Sequence, residues 1–231
     1  MPAHALAAHG RAAPAAPVLD IDPFADHFIA DPYGQHAQLR DAGPVVWLER
    51  WRVHACARYA DVRTVLADHD NFVSSAGVGL DNFRHVPPLR PKSLLLEADP
   101  PAHGRARSVV ARVLSPQALA ALRKPFEAEA DALIDRLIDR SLQHRQPVID
   151  GVRDIAQAYA LKVFPDAVGI EAEGRESLLR YSDLLFNAFG PRNALFERAA
   201  FGIELVAAWV MAHCQRSALA PGSLGSKVYD A

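Results

Sequence analysis

His103 and Arg107 stand four residues apart in the stretch from Leu94 to Leu114, LLLEADPPAHGRARSVVARVL. On a helix that spacing puts both side chains on one face, about 6 Å apart along the axis. Two donors so placed suit two nearby carboxylates; the same pair also suits an ordinary solvated polar face. Asp99 is a good N-cap residue, and Pro100 fits the first helical position because its missing N–H would find no intrahelical partner there. A helix is therefore expected from Asp99 onward, held to a core by Val109, Val110, Val113 and Leu114. Arg105 and Arg112 lie off the His103–Arg107 pairing, as a basic patch or as part of a solvated face.

The elements that must position this helix belong to a chain of 231 residues, half of them hydrophobic, with 25 Lys and Arg against 27 Asp and Glu. That balance gives no electrostatic reason to expect nucleic acid or an anionic membrane as partner. Cys56 and Cys214 lie far apart and outside any Cys-x-x-Cys spacing, which argues against a disulfide framework or a zinc site and for a cytoplasmic location. Residues 1–17 are rich in Ala and Pro without the apolar core of a secretory signal, and are expected to be a disordered leader. The apolar run Leu205 to Ala212 is far shorter than the roughly 20 residues that span a bilayer.

Along the chain, a short helix is expected near Tyr33 to Asp41, stopped by Gly43-Pro44. Val45 to Leu48 and Val53 to Ala57 read as the two strands of a hairpin, with a helix over Arg58 to His69. Asn71 to Lys92 carries Gly77, Gly79, Pro87, Pro88 and Pro91 and reads as a long irregular connection, which in a globular protein is usually functional or disordered. Beyond the central stretch, Pro116 and Pro125 suit the starts of two successive helices, the second running to Arg140. Pro147 to Asp150 reads as a short strand-like connector. Further helices are expected over Val152 to Gly169, with a kink or early end at Phe164-Pro165, over Arg175 to Phe189, and over Ala194 to Arg216. The tail after Ala218 shows no strong pattern. The fold class is mainly α with a small N-terminal β-sheet.

EADPPAHGRAR followed by VLSP resembles the DPPEHxxxR helix of bacterial cytochromes P-450, the haem-thiolate monooxygenases. The resemblance implies that His103 and Arg107 bind the propionates of haem b; Ala102 replaces the family's Glu. VLDIDPF, ADPYGQH, SSAGVGL, RPKSLLLEADPP, ADALID, VFPDAVG, LLFNAFGP and CQRSALAPG are closer still to the enzymes that oxidise para-substituted benzoates by hydroxylation or O-demethylation. By that similarity Arg90 and Ser93 hold the substrate carboxylate, Leu95 and Leu96 pack beside it, and Phe186 and Phe189 close over the ring. The residue types agree: Arg with a hydroxyl suits a carboxylate, and two Phe three residues apart suit a flat ring.

The resemblance further implies O2 as co-substrate, and an iron-sulfur ferredoxin with its NAD(P)H-dependent reductase as electron donors. Arg112 is a candidate for docking the ferredoxin. Neither Cys56 nor Cys214 has the sequence context of the family's cysteine-ligand loop, so no iron ligand and no catalytic residue is assigned. The expectation is therefore a cytochrome P-450 fold over 18–231, covering the N-terminal half of one domain and stopping before the central oxygen-activating helix and the ligand loop. Two rivals stand beside it. One is a non-catalytic remnant that cannot ligate haem iron; the other is a helical ligand-binding module.

Overall fold

In a computed structural model, residues 16–144 and 148–231 are described. The expected leader falls almost wholly outside them, as does Pro147 of the strand-like connector, whose described residues 148–150 form no strand. The chain divides into two compact units, Met1–Ser74 and Ser75–Ala231.

In the first unit the hairpin forms as expected. Strand β2 (Val46–Leu48) pairs antiparallel with β3 (Val53–Ala55), with Trp47 opposite His54. The turn between them includes Arg52 at φ 52°. A third strand, β1 (Val18–Leu19), lies parallel to β2 and was not expected, because two residues carry no periodicity. Helix α1 (Asp26–Ala30) is likewise too short to announce itself, whereas α2 (Tyr33–Ala42) ends at Gly43 and α3 (Tyr59–Ala67) follows the sheet. Ile21, Phe28, Leu39, Val46 and Leu48 form this unit's core.

The second unit is helical. Helix α4 (Ala102–Val113) is the expected central helix, and α5 (Pro116–His144) follows at once. The two helices expected at Pro116 and Pro125 are one, with Pro125 inside it. Proline removes one backbone donor and usually kinks or breaks a helix, but the apolar face continues across it to the buried Leu133 and Leu137.

Gly151–Gln157 forms π-helical turns that lead into α6 (Ala158–Val168), which ends at Gly169 with φ 93°. Pro165 does not end the helix early. Its missing N–H frees the Leu161 carbonyl, and the Arg175 guanidinium donates to that oxygen at 3.4 Å. Arg175, itself buried, also donates to the carbonyls of Glu171 and Ile170 and pairs with Asp166 at 2.7 Å, so one side chain ties off this helix end.

Helix α7 (Glu176–Asn187) packs on α8 (Ala194–Ala200) and α9 (Glu204–His213). The single helix expected from Ala194 to Arg216 is therefore two, divided where Gly202 adopts φ 63°. The tail, expected to be patternless, forms α10 (Leu224–Asp230), whose Ser223 cap accepts from Ser226 N and which packs on α4 and α6. Val113, Leu133, Val163, Leu184, Val206 and Val210 are among the buried side chains of this unit. Among the described residues no helix is long and apolar enough to cross a membrane.

Candidate functional site

Helix α4 starts later than its sequence suggests. Its first residue is Ala102, with Pro101 in the cap position after a cis Pro100–Pro101 bond. The Asp99 carboxylate, expected to cap the helix, accepts instead from the Ser75 N–H at 3.2 Å, and its carbonyl receives His103 N at 3.0 Å. The spacing of His103 and Arg107 on one helix is unaffected. His103 is half-buried and Arg107 exposed, one turn apart on α4, while Val113 anchors the same helix in the core. Among the described residues neither side chain has a hydrogen-bonding or ionic partner.

The irregular connection before α4 behaves differently. Arg90 presents a two-pronged pair to Glu97, Nη1 to Oε2 at 3.0 Å and Nη2 to Oε1 at 2.8 Å, and its Nη1 also donates to Pro91 O at 2.9 Å. The Glu97 side chain is 2% exposed and that of Arg90 23%, so the pair is largely withdrawn from water. Glu97 also accepts from Ser93 N at 2.6 Å. Burial by itself raises the Glu97 carboxyl, but the hydrogen bonds from Arg90 and Ser93 outweigh it and hold the group below the usual glutamate range. The Ser93 hydroxyl accepts from Leu95 N at 3.2 Å and Leu96 N at 3.1 Å, closing a tight turn. The Leu95 side chain is half-buried; that of Leu96 is half exposed.

A small cleft beside this pair is lined by Val78, Gly79, Phe83, Arg90, Glu97 and Phe189, among others. The structure thus brings Arg90 and Phe189 to one cavity. Phe186 is 74% exposed and is absent from the lining, although its ring meets that of Phe189 edge-on at 6.2 Å. One wall depends on glycine. A Cβ on Gly79 would stand 2.7 Å from the Phe189 carbonyl oxygen, and the neighbouring Leu80 N donates to that oxygen at 2.9 Å. Arg192 pairs with Asp81 at 3.3 Å on the same cleft and lies 4.0 Å over the Phe196 ring.

Glu97, Asp81 and Arg192 are not singled out by the sequence, and Gly79 stands out there only as a mark of the irregular connection. Glu97 stands inside the recognised EADPP segment, and this was the one available signal; Asp81 and Arg192 are 111 residues apart and gave none.

The donor set on α4 fits the carboxylate edge of a haem: two side chains on one face, neither committed elsewhere among the described residues. The cysteines are a poorer match to an iron ligand. Neither stands in the sequence context of the family's ligand loop; Cys56 is half-buried and Cys214 exposed, with desolvation raising the Cys214 thiol. Among the described residues there is no cluster of three or more His, Cys, Asp or Glu side chains able to hold a metal ion.

No protein-family model matches the chain. It is 51% identical over 213 residues to cytochrome p450 CYP199A2 of Rhodopseudomonas palustris, covering 92% of this chain and 50% of that protein. Among solved structures, cytochrome P450 CYP109Q5 from Chondromyces apiculatus superposes with a TM-score of 0.60 at 23% identity, over 90% of this chain and 50% of that one. P450BioI, solved in complex with a hexadec-9Z-enoic acid ligated acyl carrier protein, gives 0.66 at 17% identity, over 87% and 53%. The chain spans about half the length of these proteins. The relationship implies haem b as the cofactor of the full-length protein. By sequence similarity to one relative and by fold to the others, the chain belongs to the cytochrome P450 family.

Proposed function

We propose that the whole protein is a monooxygenase of small aromatic carboxylates, para-substituted benzoates in particular, acting by hydroxylation or O-demethylation. The observation that carries this reading is the uncommitted His103–Arg107 pair on α4, preceded by a loop that holds a guanidinium at a cleft with an aromatic wall. In this reading His103 and Arg107 donate to the two haem propionates, removing the cost of placing those anions against protein. Bound haem supplies activation of O2 and delivery of one oxygen atom to a substrate C–H bond.

The remaining roles are orientational. Arg90 and Ser93 hold the substrate carboxylate at one end, Leu95 and Leu96 exclude water beside it, and Phe186 and Phe189 flank the ring, so that the para substituent is the part presented for oxidation. An iron-sulfur ferredoxin and its NAD(P)H-dependent reductase supply two electrons, with Arg112 at the ferredoxin contact, in the cytoplasm. With an ether substituent the balance is ArOCH3 + O2 + 2e⁻ + 2H⁺ giving ArOCH2OH and water, and the hemiacetal then separates into the phenol and formaldehyde.

The test is product analysis of the full-length, haem-loaded protein with ferredoxin, reductase and NAD(P)H. 4-Methoxybenzoate should yield equal amounts of 4-hydroxybenzoate and formaldehyde, and Arg90→Ala should lower kcat/KM for it at least tenfold while sparing 4-methoxybenzamide, the scale expected for losing a charge-assisted bidentate contact. Equal use of acid and amide by the unmodified protein would sink the reading. A second reading, that these 231 residues alone are non-catalytic, is favoured by the sequence context of Cys56 and Cys214, neither of which stands in the family's cysteine-ligand loop. A reduced carbon-monoxide difference spectrum of the chain with a thiolate-haem band would contradict it.

A further inference from the structure

The Arg90 guanidinium uses only part of its donor set. It carries five N–H donors in one plane. Nη1 spends both of its own, on Glu97 Oε2 and Pro91 O, and Nη2 spends one on Glu97 Oε1. The Nε–H and the second Nη2–H are left, side by side on one edge of the plane, with no acceptor among the described residues. Ser93 is in a matching state. Its hydroxyl has two lone pairs and one hydrogen; Leu95 N and Leu96 N occupy the lone pairs, which leaves the O–H free to donate. Both residues are tied to the same buried group, since Glu97 Oε2 accepts from Arg90 Nη1 and from Ser93 N.

We infer that Glu97 is a positioning residue for the carboxylate site: it clamps the end of the Arg90 fork, so that a ligand carboxylate docks on the Nε/Nη2 edge, with the Ser93 hydroxyl as an additional donor. This inference rests on the proposed reading of Arg90 and Ser93 as the carboxylate anchor. Because Arg90 and Glu97 nearly cancel in charge, the site recognises the carboxylate through directed hydrogen bonds more than through net positive charge. Glu97 does not touch the ligand; it sets which donors are available to it.

Calorimetric binding of 4-methoxybenzoate and the neutral 4-methoxybenzamide to the full-length, haem-loaded protein separates the possibilities. Glu97→Gln replaces one accepting oxygen with an NH2 group facing another donor, which loosens the fork. The benzoate Kd should rise about tenfold, the scale of one charge-assisted hydrogen bond, with the benzamide Kd unchanged. Benzoate binding as tight as in the unmodified protein, or tighter, would overturn the inference.

Arg90→Lys retains a charge that can pair with Glu97 but has no second edge, and it should lose the preference for acid over amide; a lysine variant that keeps the preference also overturns the edge assignment. Should Glu97→Gln fail to bind the benzamide, and so fail to fold, the lysine variant decides. Arg90→Ala tests the underlying reading separately. If it keeps the preference for the acid, the anchor itself is misassigned, whereas a loss there combined with no change in Glu97→Gln removes the role of Glu97 alone.

Discussion

Helix α4 and the loop that precedes it both carry cationic donors, and they hold them in opposite ways. On α4, His103 and Arg107 have no partners among the described residues, and their mutual placement comes from the helix alone. In the loop, Arg90 is fixed by a buried glutamate, a backbone carbonyl and a tight turn at Ser93. A regular helix can hold a pair of donors ready without spending any of them. A loop has no such frame, so its cation is oriented by an internal anion, at the cost of some of its donors and most of its charge.

If that contrast is right, the two regions respond differently to substitution. The largest effect is expected at Glu97→Leu, which leaves Arg90 with the Pro91 carbonyl as its one described acceptor and removes the acceptor of Ser93 N; urea unfolding should show a loss of about 2–3 kcal/mol, less than for a fully buried pair because Arg90 retains some exposure. Gly79→Ala forces a methyl against the Phe189 backbone and should cost about 1–3 kcal/mol by the same measurement.

The pH dependence follows from the lowered Glu97 carboxyl. The folded group binds its proton less readily than the unfolded one, so its stabilising contribution is present above the ordinary glutamate pKa of about 4.3 and is lost as pH falls through the folded value. Unfolding at pH 7 and pH 3 should differ less in Glu97→Gln than in the unmodified chain. Arg192→Ala, which removes a pair whose members are both more than a third exposed, should cost under about 1 kcal/mol. On α4, His103→Ala with Arg107→Ala should leave stability within about 0.5 kcal/mol, since no described partner is lost; a loss as large as that at Glu97 would erase the contrast between the two regions.

The same contrast governs what could be read from the sequence. The His103–Arg107 face, the hairpin and the amphipathic helices were legible because each rests on local periodicity. The exact start of α4 was not, because Asp99 is engaged by Ser75, 24 residues away. The fusion of two helices at Pro125, the passage of α6 through Pro165 and the break at Gly202 were missed for a related reason. Propensity marks where a helix tolerates interruption, and contacts such as Arg175 with the freed Leu161 carbonyl decide whether it is interrupted. Glu97 has no such local signal, because its partners are a loop arginine seven residues back and a backbone N–H, neither of which has a sequence period.

The most direct test of the account concerns the α4 pair and the haem it is assigned to hold. Haemin and its dimethyl ester, in which the propionates carry no charge, should be titrated into the full-length apoprotein and into the His103→Ala, Arg107→Ala variant, with binding followed by Soret absorbance. The unmodified protein should prefer haemin by at least about tenfold, as expected for charge-assisted contacts, and the variant should lose that preference. A variant that discriminates between haemin and its ester as strongly as the unmodified protein would contradict the assignment.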